Sequence, residues 1–268
     1  MINPINLLNN KYKHIILSPF LRALKKYNLL NENDKVAVCI SGGKDSFLMA
    51  LCFSELSKFS DIPFEAKYIL MNPGYENSDL EKIKENAKTL GIDLIIKDTN
   101  IFKISSMQDK NKCYICAKMR RGALYKIAKD EGCNKIALAH HYNDVIETTL
   151  MSILYSGEVS SMRPKVKSQN YEGMELIRPM YFIKEDDIIN FFNEVGIKLL
   201  KCGCFLTKDK VLCEESKRQK IKKLIKNLDD DNMYVSKNIF SSISNVNLDK
   251  LLSYKLNGEI IDLINKKD

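Results

Sequence analysis

Lys35-Val-Ala-Val-Cys-Ile40, then Ser41-Gly42-Gly43-Lys44-Asp45-Ser46, then Phe47-Leu-Met-Ala-Leu-Cys52 is the stretch that decides the fold. The first six residues are β-formers with no charge after Lys35, which predicts a strand buried on both faces. The apolar run from Phe47 to Phe59 predicts a helix. Between them, two glycines let the backbone turn sharply, so successive N–H groups can face one anion. The following helix adds the positive end of its dipole. Lys44 supplies a full charge, and Ser41 and Ser46 supply hydroxyls. This is a phosphate-binding turn, distinct from the G-x-x-x-x-G-K-[ST] loop, which is absent.

Outward from the turn, short apolar runs alternate with helical periodicity. Strands are expected at 66–71, 93–96, 135–139 and 175–177. Helices are expected at 79–90, 117–130, 144–154 and 184–195, the first and last of these closed by Gly91 and Gly196. Such alternation implies a parallel sheet covered by helices on both faces, with ligands at the carboxyl ends of its strands. Before it, residues 11–27 read as an amphipathic segment with Ile15, Ile16, Phe20, Leu21 and Leu24 on one side, interrupted by Pro19. Residues 157–173 read as a polar loop, and 214–228 as a basic amphipathic helix carrying Ile221, Leu224 and Ile225. The last forty residues read as helical without a motif. The boundaries expected are a helical segment at 1–34, the nucleotide-binding domain at 35–200 and a cysteine-containing helical extension at 201–268.

The 268 residues are 45% apolar and 28% charged, an ordinary globular composition. No run approaches the ~18 apolar residues of a membrane span, and Met1 to Asn10 lacks the pattern of a secretory signal, so a cytoplasmic protein without membrane contact is expected. Lys and Arg outnumber Asp and Glu by 42 to 34, giving a net charge of +8. That surplus suits a polyanionic partner and equally a Lys-rich surface.

Ala139-His140-His141-Tyr142-Asn143-Asp144 lies at an expected strand end, on the same edge as the phosphate turn. It brings two of the three histidines beside a carboxylate able to hold Mg²⁺. Of eight cysteines, Cys39, Cys52 and Cys133 sit in apolar patterns and read as structural. Cys113 and Cys116 form a C-x-x-C pair expected just ahead of a helix, where thiols ionise readily. Cys202, Cys204 and Cys213 cluster downstream. Four thiolates suit structural zinc, and three leave one iron of a 4Fe–4S cluster open. A redox dithiol or spectator thiols are further readings of the pair.

The hexapeptide at 41–46 is the signature of the PP-loop ATP pyrophosphatases. Cys113-Tyr-Ile-Cys116 with Ala117-Lys-Met-Arg-Arg121, Lys135-Ile-Ala-Leu-Ala-His-His141, Asp144-Val-Ile-Glu-Thr148, Met162-Arg-Pro-Lys165, Ile177-Arg-Pro179 and Lys217-Arg-Gln219 together resemble the tRNA 2-thiocytidine synthetases. The likeness runs from about residue 11 to about 250, in the same order. It implies a Rossmann-like α/β fold of the adenine nucleotide alpha hydrolase type. It also implies a sulfurtransferase that adenylates the C2 oxygen of a cytidine, at position 32 of tRNA, and replaces it with sulfur.

Carried over by position, Ser41 to Ser46, Met71, His140 and His141 would bind ATP, and Lys44, Asp45 and Asp144 would be catalytic, Asp144 holding Mg²⁺. Cys113, Cys116 and Cys202 would hold the 4Fe–4S cluster, with Cys204 as the alternative third ligand and Cys213 a weaker substitute. The sulfur donor would be a cysteine desulfurase or free sulfide, and the assembly a homodimer. Arg120, Arg121, Arg163, Lys165, Lys167 and the helix from Lys217 to Lys226 are the residues that would grip tRNA. The chain departs from the family pattern at Cys202-Gly-Cys204, at Ala139 and at Asn143. A cluster-free ligase of the lysidine synthetase type, thiolation of another base or small molecule, and a zinc-stabilised nucleotide-binding module are the alternatives.

Overall fold

The computed structural model describes residues 3–107, 112–200 and 216–265, without the side chains of residues 106 and 112–114. Its centre is a six-stranded sheet in the order β3-β2-β1-β4-β6-β5. The strands are β1 (Asp34–Ile40), β2 (Phe64–Asn72), β3 (Leu94–Asp98), β4 (Lys135–Ala137), β5 (Lys165–Lys167) and β6 (Glu175–Ile177). β1 runs parallel to β2 on one side (Val38 opposite Tyr68) and to β4 on the other (Val38 opposite Ala137). The chain builds β2 and β3 on one side of β1, then crosses over to build β4 and β6 on the other. The carboxyl ends of β1 and β4 therefore form a topological switch point. β5, which lies inside the expected polar loop, pairs antiparallel with β6. Three residues alternating Lys-Val-Lys are too short a signal to distinguish an edge strand from a loop.

Alternate strand residues face opposite cores. Val36, Val38, Ile40 and Leu70 join one cluster, with α3 (Lys44–Phe59), α4 (Asn77–Thr89) and α8 (Glu185–Val195). Ala37, Cys39, Ile69 and Ile136 join the other, with Tyr125, Ala128 and Cys133 from and just beyond α6 (Lys112–Asp130). Cys39, Cys52 and Cys133 are thus buried, as expected. The N-terminal helices α1 (Pro4–Asn9) and α2 (Ser18–Lys26) belong to the first core, where Phe20 meets Phe53 edge-on at 5.3 Å. A π-helical turn at Lys13–Leu17 leads into α2, and Pro19 sits harmlessly in the first turn of α2. The wider turn shifts the buried stripe by one residue. Ile16 is fully buried, and Ile15, expected inside, is 43% exposed.

α7 (Tyr142–Ser156) follows β4, and α9 (Lys217–Asp231) packs on it through Ile221 and Ile225 against Ile146. The contact is one i,i+4 stripe wide, so Leu224, expected inside, stays exposed. α10 (Val235–Ser242) follows, and then the chain forms a hairpin rather than the expected helix, β7 (Ser253–Leu256) and β8 (Glu259–Asp262). Asn257 and Gly258 connect the strands with φ of +52° and +92°. That is the Asn-Gly pairing a tight hairpin turn demands, and the dipeptide is its sequence signal. Among the described residues no helix is long and apolar enough to cross a membrane.

One buried charge knits the far end of the sheet. Lys135, 2% exposed, lies between Asp34 (3.1 Å) and Glu175 (2.9 Å). Burial pushes the Glu175 carboxyl up, but Lys135 and Lys165 outweigh it and hold it below the usual range. Its contribution to stability is therefore present above the unfolded pKa and lost as pH falls through the folded one. Lys135→Met should cost about 3 kcal/mol in urea unfolding at pH 7, because it leaves Asp34 without its cation and Glu175 with Lys165 alone. The deficit should shrink in acid as Glu175 takes up a proton; an unchanged midpoint at pH 7 would refute this account.

Candidate functional site

The phosphate turn leaves the end of β1 and enters α3. Gly42 adopts φ +83°, and a Cβ there would lie 2.7 Å from Cγ1 of Ile83 and 3.3 Å from Cδ1 of Leu200. Both the conformation and the space exclude a side chain. Gly43 caps α3, leaving the first N–H groups of the helix without intrahelical acceptors. The Ser46 hydroxyl accepts from the Ser41 N–H (3.1 Å) and the Ser41 hydroxyl (3.2 Å), and donates to the Gly43 carbonyl (2.9 Å). Ser46 therefore braces the turn from within, and Ser41 lies on its exposed side.

At the end of β4, His141 precedes α7 and its N–H donates to the Asp144 carboxylate (2.9 Å). The His141 Nε2 lies 3.8 Å from Asp45 and 3.7 Å from Asp144, so carboxylates from two helices meet at one ring. Among the described residues its buried Nδ1 has no hydrogen-bond partner. His140 Nδ1 accepts from Arg178 Nε (3.3 Å). Burial, helped by the Arg178 and Arg218 charges and opposed by Asp144, pushes His140 down to about 4. At neutral pH it is an uncharged ring whose proton sits on Nε2.

The C-terminal helix completes the electrostatics. Arg218 of α9 bonds Glu147 (2.8 Å) and Asp144 (3.3 Å), and Lys222 bonds Glu185 (2.5 Å). Glu185 also pairs with Lys44 (3.2 Å), which pairs with Asp45 (3.0 Å). Burial presses the Lys44 ammonium down, but Asp45 and Glu185 outweigh it and raise its pKa. Burial likewise pushes Glu185 up, yet Lys222 and Lys44 hold it down at about 2. At Glu147 burial wins over Arg218 and its pKa is raised. Glu185 carries no sequence signal beyond opening a helix. Its role in the site arises from the packing of α8 beside α3.

These elements enclose a cavity of about 730 Å³ at the carboxyl ends of β1, β2 and β4, within the range of small-molecule sites. Of the residues expected to act, Ser41, Asp45, Ser46, Met71, His140 and Asp144 line it. Lys44 and His141 stand behind Asp45, each within 4 Å of its carboxylate. Arg120, Arg121, Arg178 and Arg218 add four guanidinium groups. Of the other cations expected at RNA, Lys165 is committed to Glu175 (3.2 Å) and to the Asn28 carbonyl (2.9 Å). Arg163, Lys167 and the lysines at 217, 220, 223 and 226 are exposed.

The cysteine pair lies inside α6 rather than ahead of it, because the helix starts by Lys112. Cys113 is in the first turn and Cys116 one turn on, positions that share a helix face. Cys116 is 5% exposed, in a buried cluster with Met71 and Ile101. The Cys113 side chain and Cys202, Cys204 and Cys213 lie outside the described residues. Leu200, two residues before Cys202, packs at the phosphate turn, its carbonyl 3.8 Å from where a Gly43 Cβ would sit. Among the described residues no three His, Cys, Asp or Glu side chains gather as a metal site.

A PP-loop domain family model matches residues 13–201. The tRNA-cytidine(32) 2-sulfurtransferase 1 of Francisella philomiragia subsp. philomiragia is 36% identical, the match covering 97% of each chain. The tRNA-cytidine(32) 2-sulfurtransferase of Coxiella burnetii is 34% identical over 88% of this chain and 91% of its own. The U34-tRNA thiolase NcsA from Methanococcus maripaludis, solved with its [4Fe-4S] cluster, has the same fold. Its TM-score is 0.66 at 22% identity, covering 85% of this chain and 76% of that one. The chain belongs to the PP-loop domain family and, within it, to the tRNA-cytidine(32) 2-sulfurtransferases.

Proposed function

We propose that this protein uses ATP to adenylate the C2 oxygen of the cytidine at position 32 of tRNA and then replaces that oxygen with sulfur, the activity that its relatives' names carry. The observation that carries the reading is the convergence at one sheet edge of a phosphate turn, paired carboxylates and a cysteine helix around one cavity. The first N–H groups of α3 and the Lys44 ammonium suit the phosphates of ATP, with the adenine toward Met71 at the end of β2. Asp45 and Asp144 suit Mg²⁺, which is held by one or two carboxylates together with substrate phosphates and water. The cytidine oxygen attacks the α-phosphate and pyrophosphate leaves. A sulfur nucleophile then adds at C2, and AMP departs with the former carbonyl oxygen. The neutral His140, whose Nε2–H meets no acceptor among the described residues, is suited to a phosphoryl oxygen as charge builds there.

Cys113 stands one turn before Cys116 on α6, Cys116 packs beside Met71, and Leu200, two residues before Cys202, packs at the phosphate turn. Three thiolates from these segments fit a 4Fe–4S cluster, with Cys204 the alternative to Cys202. When bound, such a cluster leaves one iron free of protein ligands to supply sulfur. A lysidine-type ligase has no use for these thiols. In this reading a cysteine desulfurase or free sulfide replenishes the sulfur in the cytoplasm, Arg120 and Arg121 meet the RNA at the cavity mouth, and the working unit is a homodimer. The chain divides by role into the helical segment 1–34, the ATP domain 35–200 and the extension 201–268.

Anaerobic purification tests the sulfur half of the proposal. The wild type should carry about four irons per chain with matching sulfide, and Cys113→Ala should lose both. Zinc alone in reconstituted wild type would leave the ligase as the better reading. Gly42→Ala tests the ATP half. Its Cβ would have to displace Ile83 in a left-handed backbone, so ATP affinity should fall at least about tenfold, or 1.4 kcal/mol. An unaltered ATP titration of Gly42→Ala would remove the turn from the ATP site.

A further inference from the structure

A second, smaller cavity of about 290 Å³ lies between the 157–164 loop, the end of α2 and α10. Met162 lines both cavities, so the two are neighbours across one side chain. The rings of Tyr27, Tyr181 and Phe240 wall the smaller one, Lys26 and Arg163 contribute two cations, and no described carboxylate lines it. Tyr181 is rigidly placed: it is 2% exposed, and its hydroxyl donates to the Met162 carbonyl at 2.9 Å. Tyr27 and Phe240 meet its ring at centroid distances of 5.4 Å, inclined by 75° and 62°. Lys26 stands 5.5 Å from the centre of the Tyr27 ring.

Holding ATP requires nothing of this space, since the phosphate turn and its carboxylates belong to the other cavity. Phe182 and Tyr142 stack on one face of Tyr27 and of Phe240, and aromatic walls with cations and no carboxylate match one ligand chemistry well, a nucleobase attached to its phosphate. The volume suits a single ring system rather than a whole nucleoside triphosphate. A purely apolar occupant such as an acyl chain would leave the two cations without a counterpart. We propose that the cavity walled by Tyr27, Tyr181 and Phe240 receives an unstacked base of the same RNA loop that presents its cytidine to the main cavity, with the adjoining phosphate on Lys26 and Arg163. The inference rests on the tRNA reading above. It adds how the enzyme holds the loop open: one base enters each cavity, and Met162 stands between them.

The test is binding of a labelled tRNA anticodon stem-loop to the full chain, with two substitutions of exposed residues. Ser244→Trp fills the smaller cavity from α10's end, and Arg163→Glu reverses the charge at its rim. Each should weaken RNA binding about tenfold or more, as loss of one stacked base or its phosphate contact does. Ser244→Trp should leave the ATP titration unchanged. With 2-aminopurine placed singly around the loop, one position other than the target should be quenched by the wild type and not by Ser244→Trp. Wild-type RNA affinity in Ser244→Trp, with or without an effect of Arg163→Glu, would overturn the base site. Should the wild type neither bind the stem-loop nor thiolate tRNA, the tRNA reading itself would fall, and this site with it.

Discussion

Asp45, Asp144 and Glu185 stand near the carboxyl ends of β1 and β4, and the pairing of these carboxylates with cations is the interaction on which the rest of the site depends. Each is tied to a cation: Asp45 to Lys44, Asp144 to Arg218, and Glu185 to Lys44 and Lys222. In a partly buried site such pairs interact more strongly than on the surface. The cations come from α3 and from α9, a helix more than 170 residues further along the chain. Arg218 and Lys222 therefore reach Asp144 and Glu185 only while the C-terminal helix is docked through Ile221 and Ile225.

That docking brings the extension to the cavity. α9 begins directly after the segment holding Cys202, Cys204 and Cys213, and its first turn delivers Arg218 to Asp144. The segment's other end, at Leu200, rests on the phosphate turn. Both flanks of the segment that holds the downstream cysteines are thus set beside the cavity, one at the phosphate turn and one at Asp144. The buried cluster of Cys116 with Met71 places α6 beside it as well.

The elements easiest to read were those whose local chemistry admits one solution. A strand apolar from Val36 to Ile40, a Ser-Gly-Gly turn and an apolar helix must stack as β1, turn and α3, and Gly91 and Gly196 end their helices because both take positive φ. Misreadings cluster where the local signal is weak or ambiguous. Ile15 and Ile16 are equally apolar, and only the π turn decides which is buried. Leu224 belongs to the helical stripe by periodicity, but α7 offers too narrow a surface to cover it. The hairpin at 253–262 was readable from Asn257-Gly258, yet its strands carry too little alternation to announce themselves.

By itself, the sequence determined the backbone of the site: the glycine turn between β1 and α3, the alternation of β1 to β4 with helices, and the kinds of group present, because these depend on residues adjacent in the chain. It also carried the likeness that the relatives bear out. Only the tertiary structure decided who meets whom. That His140 accepts from Arg178 and becomes neutral, that Glu185 joins Lys44, and that Arg218 and Lys222 close the site from the far end of the chain are consequences of packing. Such pairings depend on distances of a few ångströms between segments far apart in sequence, and no local pattern encodes them.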